Sequence, residues 1–137
     1  MSNLKFLNKL AGQKLKEISL IKEFFDDKTK PMNVALLLKF KEFNCLIYAI
    51  SNDDTILVKL KKNLKWIKKT GKYKAFDISN SKFWKDCIGR HVVWAWQLIN
   101  HQGYEDGLQF YLSNDLNKQE IIRQIVVKAS QLYFYKV

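Results

Sequence analysis

Apolar residues recur at about every second position in several segments of the chain, and this spacing constrains the fold more than any other feature. RHVVWAWQLI (90–99), GLQFYLS (107–113), IIRQIVVKA (121–129) and QLYFYKV (131–137) all show it, some with local irregularity. A pleated strand sends alternate side chains to opposite faces, so such segments read as half-buried strands. KLKEISLIKEF (14–24), NVALLLKFKEF (33–43), NCLIYAI (44–50) and TILVKL (55–60) are further candidates. The joints between them, DDKTKP (26–31), Glu42 to Asn44 and SNDD (51–54), are rich in residues that favour turns.

The expected fold is therefore mainly β (α+β). It is a single antiparallel sheet of seven to eight strands, strongly curved or barrel-like, with one or two short helices and one domain over residues 1–137. NLKFLNKLAG is expected to form one or two helical turns before Gly12. In DISNSKFWKDCIGR (77–90), Ser79 or Ser81 is placed to cap a short helix that Gly89 ends. The lysine-rich stretch 61–76 alternates poorly and is expected to be an exposed loop or a poorly formed helix.

A chain of 137 residues, 47% apolar, is long enough for a sizeable core. Lys5, Lys9, Lys14 and Lys16 interrupt the apolar residues at the N-terminus, so a signal peptide is not expected. No run approaches the roughly 20 apolar residues of a spanning helix. The expected location is cytoplasmic, without membrane contact. Cys45 and Cys87 have no CxxC spacing and are expected to be reduced thiols.

The net charge of +11 is local, because KLKKNLKWIKKTGKYK (59–74) holds eight lysines and no acid. Trp66, Tyr73 and Phe76 interleave with those lysines, a composition that suits unpaired bases and phosphates. It suits an acidic protein partner equally, and a solvated lysine loop is the plainest explanation. Arg90 and Arg123 are the only arginines. Bidentate base reading favours arginine's fork, so specific nucleic-acid recognition is disfavoured.

WAWQLINHQGYEDGLQFYL (94–112) concentrates the most functional groups, and its alternation reads as a hairpin. Trp94, Trp96 and Leu98 share one parity and are expected to be mainly core, as large aromatics at alternating positions usually are. The loop brings together Asn100, His101, Gln102, Tyr104, Glu105 and Asp106, with turn chemistry the leading explanation and recognition the next. Asp53 and Asp54, in another turn, would approach this loop if both turns lie at one sheet end.

The sequence offers little catalytic machinery. His91 and His101 are the only imidazoles, and neither stands in a metal-binding or nucleophile-activating spacing. Phosphate-cradling glycine motifs are absent. No catalytic residue, metal or cofactor is expected, and the protein is read as a non-enzyme.

Three features together carry a resemblance: an apolar strand meeting DDT (53–55), a short FW-containing segment before IGR (88–90), and W.W...N.QGY.DG..F at 94–110. Over roughly residues 12–137 the chain resembles a family of small uncharacterised bacterial proteins. Their build is similar to that of immunity proteins that neutralise delivered toxins. The resemblance implies a non-enzymatic interaction protein that occludes a cognate toxin domain by direct binding. The candidate contacts are Lys62, Lys65, Trp66, Lys68 and Lys69 in the basic segment and Tyr104, Glu105 and Asp106 in the acidic turn. The alternative is single-stranded nucleic-acid binding through residues 59–74.

Overall fold

The computed structural model describes residues 3–25, 29–50, 54–61, 72–114 and 120–137. Among them are nine strands: β1 (Glu17–Glu23), β2 (Met32–Lys39), β3 (Asn44–Ile50), β4 (Thr55–Lys61), β5 (Tyr73–Asp77), β6 (His91–Ile99), β7 (Glu105–Ser113), β8 (Glu120–Lys128) and β9 (Gln131–Lys136). The expectation of one curved or barrel-like sheet of seven to eight strands is corrected. The strands form two antiparallel sheets, one ordered β4-β3-β2-β1-β5 and the other β6-β7-β8-β9. Alternation shows that a strand gives one face to a core, but it does not say which sheet the strand joins. The division falls at residues 78–90, where turns and a 3-10 helix (Lys85–Cys87) carry the chain from one sheet to the other.

One core serves both sheets. Ile18 and Leu20 of β1, Leu36 and Leu38 of β2, Cys45 and Ile47 of β3 and Ile56 and Val58 of β4 supply one side. Val92, Leu108, Phe110, Leu112, Ile125, Val127 and Leu132 supply the other. Trp84, only 3% exposed, fills the corner near the 3-10 helix, with edge contacts to Phe83 at 4.8 Å and Phe134 at 5.5 Å.

β5 overturns the reading of 61–76 as loop or helix over its last residues. It pairs with β1 from Ser19↔Asp77 to Glu23↔Tyr73. As the edge strand it is exposed along Lys74–Asp77, so no buried face imposes an apolar alternation on its sequence. The expected helical turn at the start is present as α1 (Leu4–Leu7) followed by a 3-10 turn (Asn8–Leu10). The expected helix before Gly89 contracts to turns and the 3-10 helix, with Ser81 Oγ accepting the Trp84 N–H at 3.3 Å.

The N-terminal segment ties the two sheets together. Residues 12–15 run against 89–92: Gly12 N–H donates to Val92 O at 2.7 Å, Val92 N–H to Gln13 O at 2.9 Å, and Leu15 N–H to Arg90 O at 2.9 Å. Two residues further on the same chain enters β1 of the other sheet. Asn3 makes a second tie and is 2% exposed. Its side chain serves the open edge of β4 like a missing strand, accepting the Val58 N–H and donating to Ile56 O, both at 2.9 Å. Asn3 Nδ2 also donates to Gln97 Oε1 of β6 at 2.9 Å.

Two substitutions test these features. Asn3→Ala orphans Ile56 O and Val58 N–H and is expected to lower stability by about 1–3 kcal/mol, measured by denaturant unfolding. Ala129→Gly is expected to raise it. Ala129 and Ser130 form the β8–β9 turn with φ of 48° and 66°, where an L side chain is strained and glycine is not. After glycine's own entropy loss the gain is about 0.5–1 kcal/mol. A neutral Asn3→Ala would remove the tie between β4 and β6 from this account.

Candidate functional site: the aromatic face of the four-stranded sheet

The two tryptophans of β6 are not core residues, which corrects the reading from alternation. Trp94 is 63% and Trp96 42% exposed. The cause is a bulge. Val92 pairs with Leu112, but the next pair is Trp94↔Tyr111, so Val93 is an extra residue on β6. Without it, Trp94 would lie opposite inward-facing Phe110. With it, Ala95 takes that place and Gln97 faces Leu108. One inserted residue exchanges the faces of every residue beyond it. The inward Gln97 is satisfied, donating to Gly107 O at 3.1 Å and accepting from Asn3.

The outward residues form three rows across the strands: Trp94, Tyr111 and Ile122; Trp96, Gln109, Gln124 and Tyr135; and Leu98, Gly107, Val126 and Tyr133. At a strand spacing of about 4.8 Å, the full rows from β6 to β9 span about 14 Å. Trp96 meets Tyr111 edge-on, at 6.2 Å and 86°. Gln109 Nε2 donates to Gln124 Oε1 at 2.6 Å, closing the amides of the middle row on each other. Gly107 lets Leu98 lie flat across it, since a Cβ there would stand 3.1 Å from Leu98 Cδ1 and 3.0 Å from Ile125 O.

Among the described residues, two charged side chains at the margin, Lys128 and Glu120, are held by tyrosines of the face. Lys128 Nζ donates to Tyr135 Oη at 2.6 Å and lies over the Tyr135 and Tyr133 rings at 5.0 and 5.6 Å. Tyr111 hydrogen-bonds Glu120, and this bond raises the phenol above its ordinary range. Glu120 and Lys128 offset each other in charge. The face is thus aromatic, amide-lined and neutral in a chain of charge +11.

None of the described residues expected to bind from sequence stands in these three rows. Lys62, Lys65, Trp66, Lys68, Lys69 and Asp53 lie outside the described residues. Tyr104, Glu105 and Asp106 are described, and turn chemistry absorbs much of their loop. Asn100 Oδ1 accepts the N–H groups of Gln102 and Tyr104 at 2.9 and 3.2 Å, and Asn100 Nδ2 donates to Asp106 Oδ2 at 3.3 Å. Glu105 opens β7 opposite Ile99, and Tyr104 is 44% exposed. Asp54 turns to the β8–β9 turn, where its Oδ1 accepts the Ser130 N–H at 2.8 Å.

Both arginines are structural. Arg90 Nε donates to Asp86 O at 2.6 Å. Arg123 donates to Phe83 O at 3.1 Å and to Ile122 O at 3.2 Å, and its guanidinium stacks 5.0 Å from the Phe83 ring. They anchor the 81–90 segment rather than facing outward. His91 is half-buried at the start of β6, and His101 is exposed in the β6–β7 loop. Among the described residues no cluster of His, Cys, Asp or Glu is arranged to hold a metal. No described helix is long and apolar enough to cross a membrane.

Burial pushes the Cys45 thiol up to about 12, and Cys87 up to about 11 against the opposing pull of Arg123 and Arg90. Both are thiols at neutral pH and poor nucleophiles. Native protein at pH 8 is therefore expected to leave both cysteines unreactive toward a disulfide reagent until it is unfolded; rapid native labelling would contradict their burial. Trp94→Ala and Trp96→Ala are each expected to change unfolding stability by less than about 1.5 kcal/mol, the range of an exposed side chain with one edge contact. Trp84→Ala should cost about 3–5 kcal/mol. Equal losses at all three would return the β6 tryptophans to the core.

No curated protein and no solved structure matches the chain. A family does match, over residues 1–137. The chain belongs to that family, which is described as a family of unknown function (DUF6334).

Proposed function

We propose that this is a non-enzymatic binding protein that engages a folded protein partner through the outer face of β6–β9. The exposure of Trp94, Trp96, Tyr133 and Tyr135 on that one face, with Tyr111 among them, carries the reading. Tryptophan and tyrosine dominate the energetic centres of protein interfaces, and here a rigid sheet presents them with little side-chain entropy left to lose. The fitting partner offers an apolar, uncharged patch, because Glu120 and Lys128 are already engaged with tyrosines. At about 14 Å across, the face is the centre of an interface whose full area is about 800 Å² per partner.

In its most specific form, the partner is a toxin domain that the protein occludes as an immunity protein. The W.W...N.QGY.DG..F resemblance supports this form, and the same motif contributes both tryptophans to the face. Single-stranded nucleic acid is less well suited to it. Phosphates need unpaired cations beside the stacking rings, and the Lys128 ammonium is already bonded to Tyr135.

The test pairs the protein with the toxin domain encoded beside its gene, using titration calorimetry and a growth-protection assay. Removal of an interface anchor costs about 2 kcal/mol or more, so Trp94→Ala with Trp96→Ala is expected to weaken binding at least about 100-fold and abolish protection. Tyr104→Ala should have little effect. Full affinity and protection in the double variant would end the proposal. So would the absence of a protein complex together with tight, salt-sensitive binding of a labelled oligonucleotide.

A further inference from the structure

The five-stranded sheet is apolar on both faces. Away from the shared core, Ile21, Ala35, Leu37 and Leu46 are buried in a second cluster, with Val34, Tyr48 and Tyr73 packed against it. Beside this cluster opens a concavity of about 770 Å³, a size typical of small-molecule sites. Val34, Ala35, Leu46 and Tyr48 line its apolar part, and Glu23 and Lys59 are the two charged residues of its described lining.

Those charges are not equivalent. Glu23 is already neutralised, with Lys72 Nζ 3.0 Å from its carboxylate. It also hydrogen-bonds Tyr73, whose hydroxyl is raised by burial and then by that carboxylate. Lys59 is exposed on β4, and its ammonium lies 5.8 Å above the Tyr48 ring. It pairs with no carboxylate among the described residues. Three strand spacings, about 14 Å, separate β1 with Glu23 from β4 with Lys59. Among the described residues, the concavity therefore combines a neutralised end, an apolar stretch across the strands and one cation without a carboxylate partner.

We propose that this concavity binds a medium-chain alkyl carboxylate, its chain along the half-buried Met32, Val34 and Tyr48 and its carboxylate paired with Lys59. A cationic head group would find the only acid among the described lining residues, Glu23, already taken. A doubly charged phosphate would find one free ammonium among the described lining residues, where it needs several donors. The site lies on the five-stranded sheet and does not depend on the aromatic face of the other sheet.

The experiment titrates the full chain with decanoate, and separately with decanol, below their aggregation concentrations, while amide and indole signals are followed by two-dimensional NMR. The expected result is saturable shifts at Val34, Leu46, Tyr48 and Lys59, with decanoate bound at least tenfold more tightly than decanol. Lys59→Met, an exposed substitution that leaves the sheet intact, should erase the tenfold difference, and Lys59→Arg should keep it. The proposal is overturned if no shift saturates, if decanol binds as well as decanoate, or if the shifts centre on Trp94, Trp96 and Tyr133. The last pattern is that of an amphiphile adsorbing to the exposed aromatic face.

Discussion

Pleat parity governs this molecule, and the single extra residue at Val93 sets it for the strand that matters most. Ahead of the bulge, Val92 faces the core; beyond it, Ala95 and Gln97 do, and both tryptophans are turned to solvent. The core accepts this because β7 supplies the bulk in Leu108, Phe110 and Leu112, leaving a small residue the right partner for Phe110. The half-buried amide of Gln97 is tolerated because Asn3 and Gly107 O bond it. Asn3 in turn needs the edge of β4. The bulge, the N-terminal tie and the orientation of the aromatic face are thus parts of one arrangement.

That arrangement gives the two sheets different characters. The aromatic face is neutral, with its lysine, glutamate and glutamines bonded within it. Eight lysines fall in residues 59–74, and the described ones among them include Lys59 of β4 and Lys74 of β5 in the other sheet. Under the proposed function, long-range attraction and close contact fall to different parts of the chain: the net charge would steer partners of opposite sign, and the rings would supply contact energy after docking. Both arginines, the residues best suited to reading bases, are spent on backbone carbonyls of the 81–90 segment.

Much of the strand content was legible in the sequence because a strand with one buried face must alternate. Eight strands were visible in this way, and the β6–β7 hairpin was found from its paired alternation and its turn residues. β5 was hidden because an exposed edge strand has no buried face to write a pattern. The division into two sheets was hidden because which sheet a strand joins depends on distant contacts, such as residues 12–15 against 89–92. The aromatic side chains of the site were visible, but their direction was not. Alternation fixes that Trp94 and Trp96 share a face, and only the β6–β7 register, with its bulge, decides which face it is. A hint was present nonetheless, since the opposite parity carries Ala95 beside the large residues of the returning strand.

The central claim is that Trp94 and Trp96 stand in solvent beside Tyr133 and Tyr135 on one face. Flavin-sensitised nuclear polarisation tests it most directly, because only rings the dye can touch are enhanced. In a Trp66→Phe background, the account predicts strong enhancement of Trp94, Trp96, Tyr133 and Tyr135, with Trp84 silent. Silence at Trp94 and Trp96 in the free protein would contradict it, placing the β6 tryptophans back in the core and removing the proposed recognition surface.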